Sequence, residues 1–230
     1  MKKPILLTEK FTDNLFRYFI YFLLVAVTPF LAKPVALLFD WVAYGQLFVF
    51  LTELLTAIFW SLEFVVLIVV ENRLKKQPKP AGKEPLVLWR VGTLTAIAAV
   101  CVLIISAQIH FEVKPFYDIG EKVTGYELLD KIGAIVRNVV KCVWITLLIK
   151  AAYAAAEELS PYLKTQDKPW IAWLIAGAAL MLFGAYDVFV WKNPFKLTYL
   201  LFYAAFTAVY YFAEKRDVKT YLLILFIYIF

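Results

Sequence analysis

Along this chain, stretches of about twenty mostly apolar residues follow one another with short polar breaks between them. Twenty such residues are what a helix needs to cross the hydrocarbon of a bilayer. Six stretches meet that requirement, at residues 14–32, 45–70, 86–109, 132–156, 170–190 and 195–213. The second belongs to a long, mostly apolar tract from Pro34 to Val70. One straight helix over that tract would exceed about 50 Å at a rise of ~1.5 Å per residue, more than a single crossing uses. A division at Gly45 resolves this, with a short interfacial helix over 34–43 and a span after it. The last segment, Thr220–Phe230, is strongly apolar but only 11 residues long. It cannot cross alone and is expected to lie at the interface, or to pack on a partner membrane protein or a second copy of the chain.

Composition excludes the soluble alternatives. Hydrophobic residues make up 63% of the chain and charged residues 18%, against about 25% charged in a typical soluble domain. A soluble globule with this content would expose apolar patches far larger than soluble proteins carry. The expected fold is therefore all-α: a polytopic integral membrane helical bundle forming a single transmembrane domain over residues 1–230. About six transmembrane helices, the short interfacial helix and the apolar C-terminal segment make it up, and the lipid bilayer is its main partner.

The net charge of +6 is read as a topology signal, since lysine and arginine gather at cytoplasmic helix ends; no nucleic-acid partner is expected. With the N-terminus cytoplasmic, the inner segments carry 14 basic residues and the outer loops six. Most of the difference comes from the basic cytoplasmic linker over 71–85, whose charges and prolines make a solvated, extended connection. The expected location is the plasma membrane. Lys2 and Lys3 precede the first apolar run, but Phe30 stands where a cleavage site ending at Ala32 would need a small residue, so this run reads as a retained span. Cys101 and Cys142 fall inside apolar runs and are expected to be small buried hydrophobes.

Function must then be sought among the few polar residues inside the spans, because charges there are expensive. At about 100° per residue, Asp130, Arg137 and Lys141 share one narrow band of a helix. Leu128, Ile132, Ile135, Val136, Val139 and Val140 occupy the opposite side. Arg137 and Lys141 would make a positive strip suited to an anionic substrate or head group, unless this stretch lies along the outer surface. Lys150 points the other way. Glu53 and Glu63 lie well inside the second span, and a carboxylate cannot reach the interface as a lysine can. They are expected to bond Arg137, Lys141 or Lys150 on another helix, or to take a proton. Glu53, Glu63, Arg137, Lys141 and Lys150 are therefore the candidate substrate- or ion-binding residues.

Three other patterns have structural explanations. Gly177 and Gly184 suggest a close helix contact. Tyr199, Tyr203, Phe206 and Tyr210 form an aromatic stripe best explained by lipid contact, and Trp41, Trp89, Trp170 and Trp191 fall near span ends as an interfacial belt would.

Catalytic chemistry is hard to find. The one histidine, His110, excludes the paired histidines of the HExxH zinc motif, of histidine-box di-iron sites and of bis-histidine haem within the chain. None of Ser61, Ser106 and Ser160 has nucleophile-elbow surroundings. Glu157–Glu158 lacks the arginine that a CAAX-type intramembrane protease carries four residues after its second glutamate; Tyr162 stands there. No catalytic residue, metal or cofactor is expected, and the enzyme reading is disfavoured. The expectation is a small multi-pass transporter or the membrane subunit of a transport system. A non-catalytic scaffold subunit of a larger complex and a channel-like bundle are the alternatives. In size and span count the chain resembles the small substrate-binding subunits of modular importers, at the level of fold only.

Overall fold

A computed structural model describes residues 14–28, 48–74, 87–119, 126–164, 167–191, 197–214 and 217–229. The interfacial helix expected over 34–43 and the linker beyond Leu74 lie outside them. The described residues form helices and their connecting turns, with no strand among them. In chain order they are α1 (Asn14–Thr28), α2 (Phe48–Leu74), α3 (Leu88–Gln108), α4 (Lys114–Ile119), α5 (Glu127–Leu159), α6 (Pro169–Trp191), α7 (Leu197–Phe212) and α8 (Asp217–Ile229).

Three of these, α2, α3 and α5, are long and apolar enough to cross a membrane. The 27 residues of α2 contain neither glycine nor proline, the two residues that most weaken a helix interior. At ~1.5 Å per residue it is about 40 Å long, and the 33-residue α5 about 50 Å. The apolar stretches described for α1, α6 and α7 are shorter.

Helix α5 is the axis of the bundle, with α2, α4, α6, α7 and α8 packed around it. Helix α1 joins through two side-chain hydrogen bonds. Tyr21 Oη donates to the Leu67 carbonyl of α2 at 3.3 Å, and Trp144 Nε1 of α5 donates to the Val25 carbonyl at 2.7 Å. Helix α3 lies on the opposite flank against α7 and α8, inserting the stripe Leu94, Ala98, Cys101 and Ile105. Cys101 and Cys142 are both buried free thiols, as their apolar surroundings implied.

Unlike a soluble bundle, this one turns charge inward and hydrocarbon outward. On α5, Asp130 is 0% exposed while Leu128, on the apolar side of the same turn, is 72% exposed. Phe16, Phe19, Leu23 and Leu24 of α1 are exposed, as are Leu62, Val65, Val66 and Val69 of α2. Outward apolar faces of this extent are the surface a lipid solvent selects. Trp89 and Trp170, expected at span ends, stand exposed at the first turns of α3 and α6; Trp41 and the side chain of Trp191 lie outside the described residues.

The aromatic stripe of α7 differs from expectation. Phe206 and Tyr210 are buried; Tyr210 meets Tyr153 of α5 edge-on at 5.5 Å, and Tyr203 meets Phe183 of α6 edge-on at 6.3 Å. These rings are core, because α7 sits between α6, α5 and α3. Gly177 is a close-contact position as expected: a Cβ built there would come within 3.3 Å of Thr207 Oγ1 on α7.

The C-terminal segment forms the helix α8 and folds back into its own chain. Glu214, at the end of α7, takes a left-handed φ of 55° and its amide donates to the Tyr211 carbonyl. The chain then reverses, and α8 runs alongside α5 with Thr220, Ile224 and Ile227 fully buried against the bundle. Val218, Leu222 and Phe226 remain exposed on its outer side.

Candidate functional site

The polar side chains lie along the seam between α2 and α5, whose partners run in order. Start meets start, since the Phe50 amide donates to Asp130 Oδ1 at 3.0 Å. End meets end, since Lys150 Nζ lies 3.0 Å from Glu71 Oε1. The two helices are therefore parallel, which requires the chain to cross back between them.

At the first level, Asp130 supplies from α5 the acceptor that α2 lacks in its own opening turn. Phe50 is the third residue of α2, and the first amides of a helix have no partner within it. A carboxylate at that position also faces the positive end of the helix dipole. Gly133 makes this approach feasible. A Cβ there would stand 3.1 Å from Glu53 Cβ and 3.3 Å from the Phe50 carbonyl oxygen.

One turn further, Arg137 reaches Glu53. Nη1 donates to Oε1 at 2.9 Å, and Nε stands 2.8 Å from Oε2. The two side chains are 24% and 12% exposed, so this is a largely desolvated pair of fork geometry, the arrangement for which guanidinium is suited. Lys141 points elsewhere: its Nζ lies 5.0 Å from the centroid of the Tyr228 ring on α8, within cation–π range. Arg137 and Lys141 thus diverge, one toward α2 and the other toward α8.

At the far end, three helices meet at Lys150. Nζ donates to Asp217 Oδ2 of α8 at 2.6 Å and pairs with Glu71 of α2. Glu71 is buried and Asp217 half-exposed. Beside this cluster, Arg90 at the start of α3 pairs with Glu214 at 3.4 Å. Neither Glu71, expected to open the solvated linker, nor Asp217, three residues before the last apolar segment, was a candidate on sequence. The signal available was an acidic residue within a turn of each apolar run's end.

Glu63 is the exception. It lies near the middle of α2, about 80° around the helix from Glu53 at 100° per residue. Its Oε2 is buried and has no hydrogen-bond partner. Thr52 Oγ1 and Trp60 Nε1, buried on the same flank of α2, have none either. Elsewhere, Asn138 is fully buried with Nδ2 donating to the Ala134 carbonyl at 2.8 Å, while its Oδ1 is unpartnered. Of the five residues singled out on sequence, then, Glu53 and Arg137 are brought together. Lys141 and Lys150 are engaged with α8, and Glu63 stands apart.

Among the described residues, no three of His, Cys, Asp and Glu converge as metal ligands would. Comparison with known protein families, with curated proteins and with solved structures finds no match for this chain.

Proposed function

We propose that the chain is a small multi-pass membrane transport protein or the membrane subunit of a transport system. The observation carrying this reading is the flank of α2 that holds Thr52, Trp60 and Glu63, three half-buried side chains that each shield one polar atom without a hydrogen-bond partner. A span that only anchors has no use for such groups, because burying them unpaired is unfavourable. Polar side chains kept within a span mark ion or substrate pathways by default.

The reading includes the full topology. Helices α1, α2, α3, α5, α6 and α7 are the six spans, α8 re-enters about half-way, and α4 lies at the outer surface. The end of the bundle at Lys150 also carries Arg73, Arg90, Lys164, Lys168 and Lys219. The rule that basic residues stay inside puts this end, and the N-terminus, in the cytoplasm, with the plasma membrane as the host.

Uptake into proteoliposomes under an imposed pH gradient tests the reading. With a broad panel of anions, vitamins and amino acids, at least one compound is expected to accumulate, and to stop doing so when the gradient is dissipated. A panel of which no member is bound or moved overturns it.

A second reading, the non-catalytic scaffold, is favoured by one specific observation. Arg137 and Lys150, the bases best placed for an anionic substrate, are each engaged by a carboxylate of the same chain. Together with the outward apolar faces, this suits a bundle built to hold other membrane helices. Co-purification of a partner chain in mild detergent supports it, and a lone monomer opposes it.

A further inference from the structure

We propose that Glu63 is a proton-binding site: a carboxyl group within the span that carries its proton when facing the membrane interior and releases it when water reaches the flank of α2. The inference deepens the transport reading by naming the proton as the coupling ion, but it rests on an independent geometric contrast.

That contrast is among the carboxylates of the α2–α5 seam. Asp130 accepts from the Phe50 amide, Glu53 is held by Arg137, and Glu71 is held by Lys150. Each has a cation or a helix N-terminus beside it, which favours the charged form. Glu63 has neither, and its Oε2 is shielded without a donor.

The groups facing it explain why. The parallel register sets residues about 80 positions further along α5 beside each residue of α2. Around Glu63 these are Val143, Trp144, Ile145 and Thr146, none of which carries a charge. Their polar atoms are engaged as well: Trp144 Nε1 donates to the Val25 carbonyl and Thr146 Oγ1 to the Cys142 carbonyl. Of the bases of α5 on either side, Arg137 is bound to Glu53, Lys150 is bound to Glu71 and Asp217, and Lys141 turns to α8, its Nζ 5.0 Å from the centroid of the Tyr228 ring. From α1, Tyr21 faces α2, but its hydroxyl donates to the Leu67 carbonyl; Tyr18 and Arg17 lie a turn further toward the Lys150 end. No described cation is within reach of Glu63, and an isolated carboxylate in so apolar a setting neutralises by taking a proton.

A protonated carboxyl in hydrocarbon has a distinctive reactivity toward a hydrophobic carbodiimide. Its proton passes to one nitrogen of the reagent, and its oxygen adds to the central carbon to give an O-acylisourea. An acyl shift to nitrogen then leaves a stable N-acylurea with nothing lost. Ionised and ion-paired carboxylates do not react in this way.

Purified protein in nanodiscs is treated with dicyclohexylcarbodiimide across a pH series, and the products are mapped by peptide mass. One reagent mass is expected on the peptide containing Glu63. The rate is expected to fall roughly tenfold for each pH unit once the group ionises. Glu63→Gln removes the label and Glu63→Asp retains it. Glu53 and Glu71 remain unmodified in the natural chain, and Glu53 becomes modified when Arg137→Met takes away its cation, which shows that the reagent enters the seam. Modification of Glu53 in that variant with none at Glu63 in the natural chain overturns the proposal, as does labelling of Glu63 that does not depend on pH. Labelling without uptake of any panel compound leaves the proton site in place and removes the transport reading. Uptake without labelling does the reverse.

Discussion

Lys150→Met is expected to destabilise the folded bundle by about 3–5 kcal/mol, the range found when one partner of a buried ion pair is removed and the other is left uncompensated. The ammonium of Lys150 serves two carboxylates, at 2.6 Å from Asp217 and 3.0 Å from Glu71. The Glu71 side chain is only 6% exposed, so it cannot recover its hydration when the cation goes. Most of the loss is expected to arise there. Asp217, half-exposed at the first turn of α8, is a weaker link, and Asp217→Asn is expected to cost about 1 kcal/mol or less. Adding Glu71→Gln to Lys150→Met removes the stranded charge and is expected to restore most of the stability. Reversible unfolding in mixed micelles, followed by tryptophan fluorescence, measures all four proteins. Equal effects of Lys150→Met and Asp217→Asn would contradict the assignment of Glu71 as the dominant partner. Because Lys150 ties α8 to α2 through α5, its loss should also expose α8 to protease before the rest of the bundle opens.

The second large effect is expected at Arg137. Arg137→Ala leaves Glu53, 12% exposed, without its cation and is expected to cost about 3 kcal/mol or more. Arg137→Lys keeps the charge but loses the planar fork that addresses both carboxylate oxygens; a cost of about 1 kcal/mol is expected, the scale of one net hydrogen bond. Glu53→Gln with Arg137→Met replaces the pair by neutral groups and is expected to fall within about 1–2 kcal/mol of the natural chain, since neutral replacement of a buried pair is often tolerated. The double-mutant cycle of Glu53→Gln, Arg137→Met and their combination isolates the coupling. A coupling near zero would mean that the two side chains, although 2.8 Å apart, do not hold α2 to α5.

These effects show which parts of the molecule were legible beforehand. The helices follow from long, mostly apolar runs, and α2 and α5 appear where those runs are longest. That Glu53 needs a cation from Arg137, Lys141 or Lys150 could be read on paper, because few cations lie at membrane depth, but not which of the three it meets. The identity of the partners was harder. Lys150 takes Glu71, 79 residues back by numbering, and Asp217, 67 residues on. Only the parallel packing of α2 on α5 and the reversal at Glu214 bring those three together. No local periodicity encodes the change of direction between α7 and α8, where the left-handed backbone at the end of α7 falls on a glutamate rather than a glycine. The α7 aromatics show the same limit: helical spacing reveals a stripe, while the direction it faces depends on the neighbours. Asp130, Arg137 and Lys141 share a band of α5 as the 100° repeat requires, yet three different partners claim them: the Phe50 amide, Glu53 and the Tyr228 ring. A helical wheel records direction from one axis and cannot say which neighbour is met at each level.

The parallel register of α2 and α5 pairs Glu53 and Glu71 with their cations and leaves Glu63 without one. Thiol cross-linking in native membranes tests it directly, in a chain whose Cys101 and Cys142 are replaced by alanine. With a short bifunctional reagent, the pairs Glu53→Cys with Arg137→Cys and Glu71→Cys with Lys150→Cys are expected to cross-link. The exchanged pairs, Glu53→Cys with Lys150→Cys and Glu71→Cys with Arg137→Cys, lie about 20–27 Å apart along the helices at ~1.5 Å per residue and are expected to remain unlinked. Cross-links in the exchanged pairs and none in the first two would show α2 and α5 antiparallel and contradict the account.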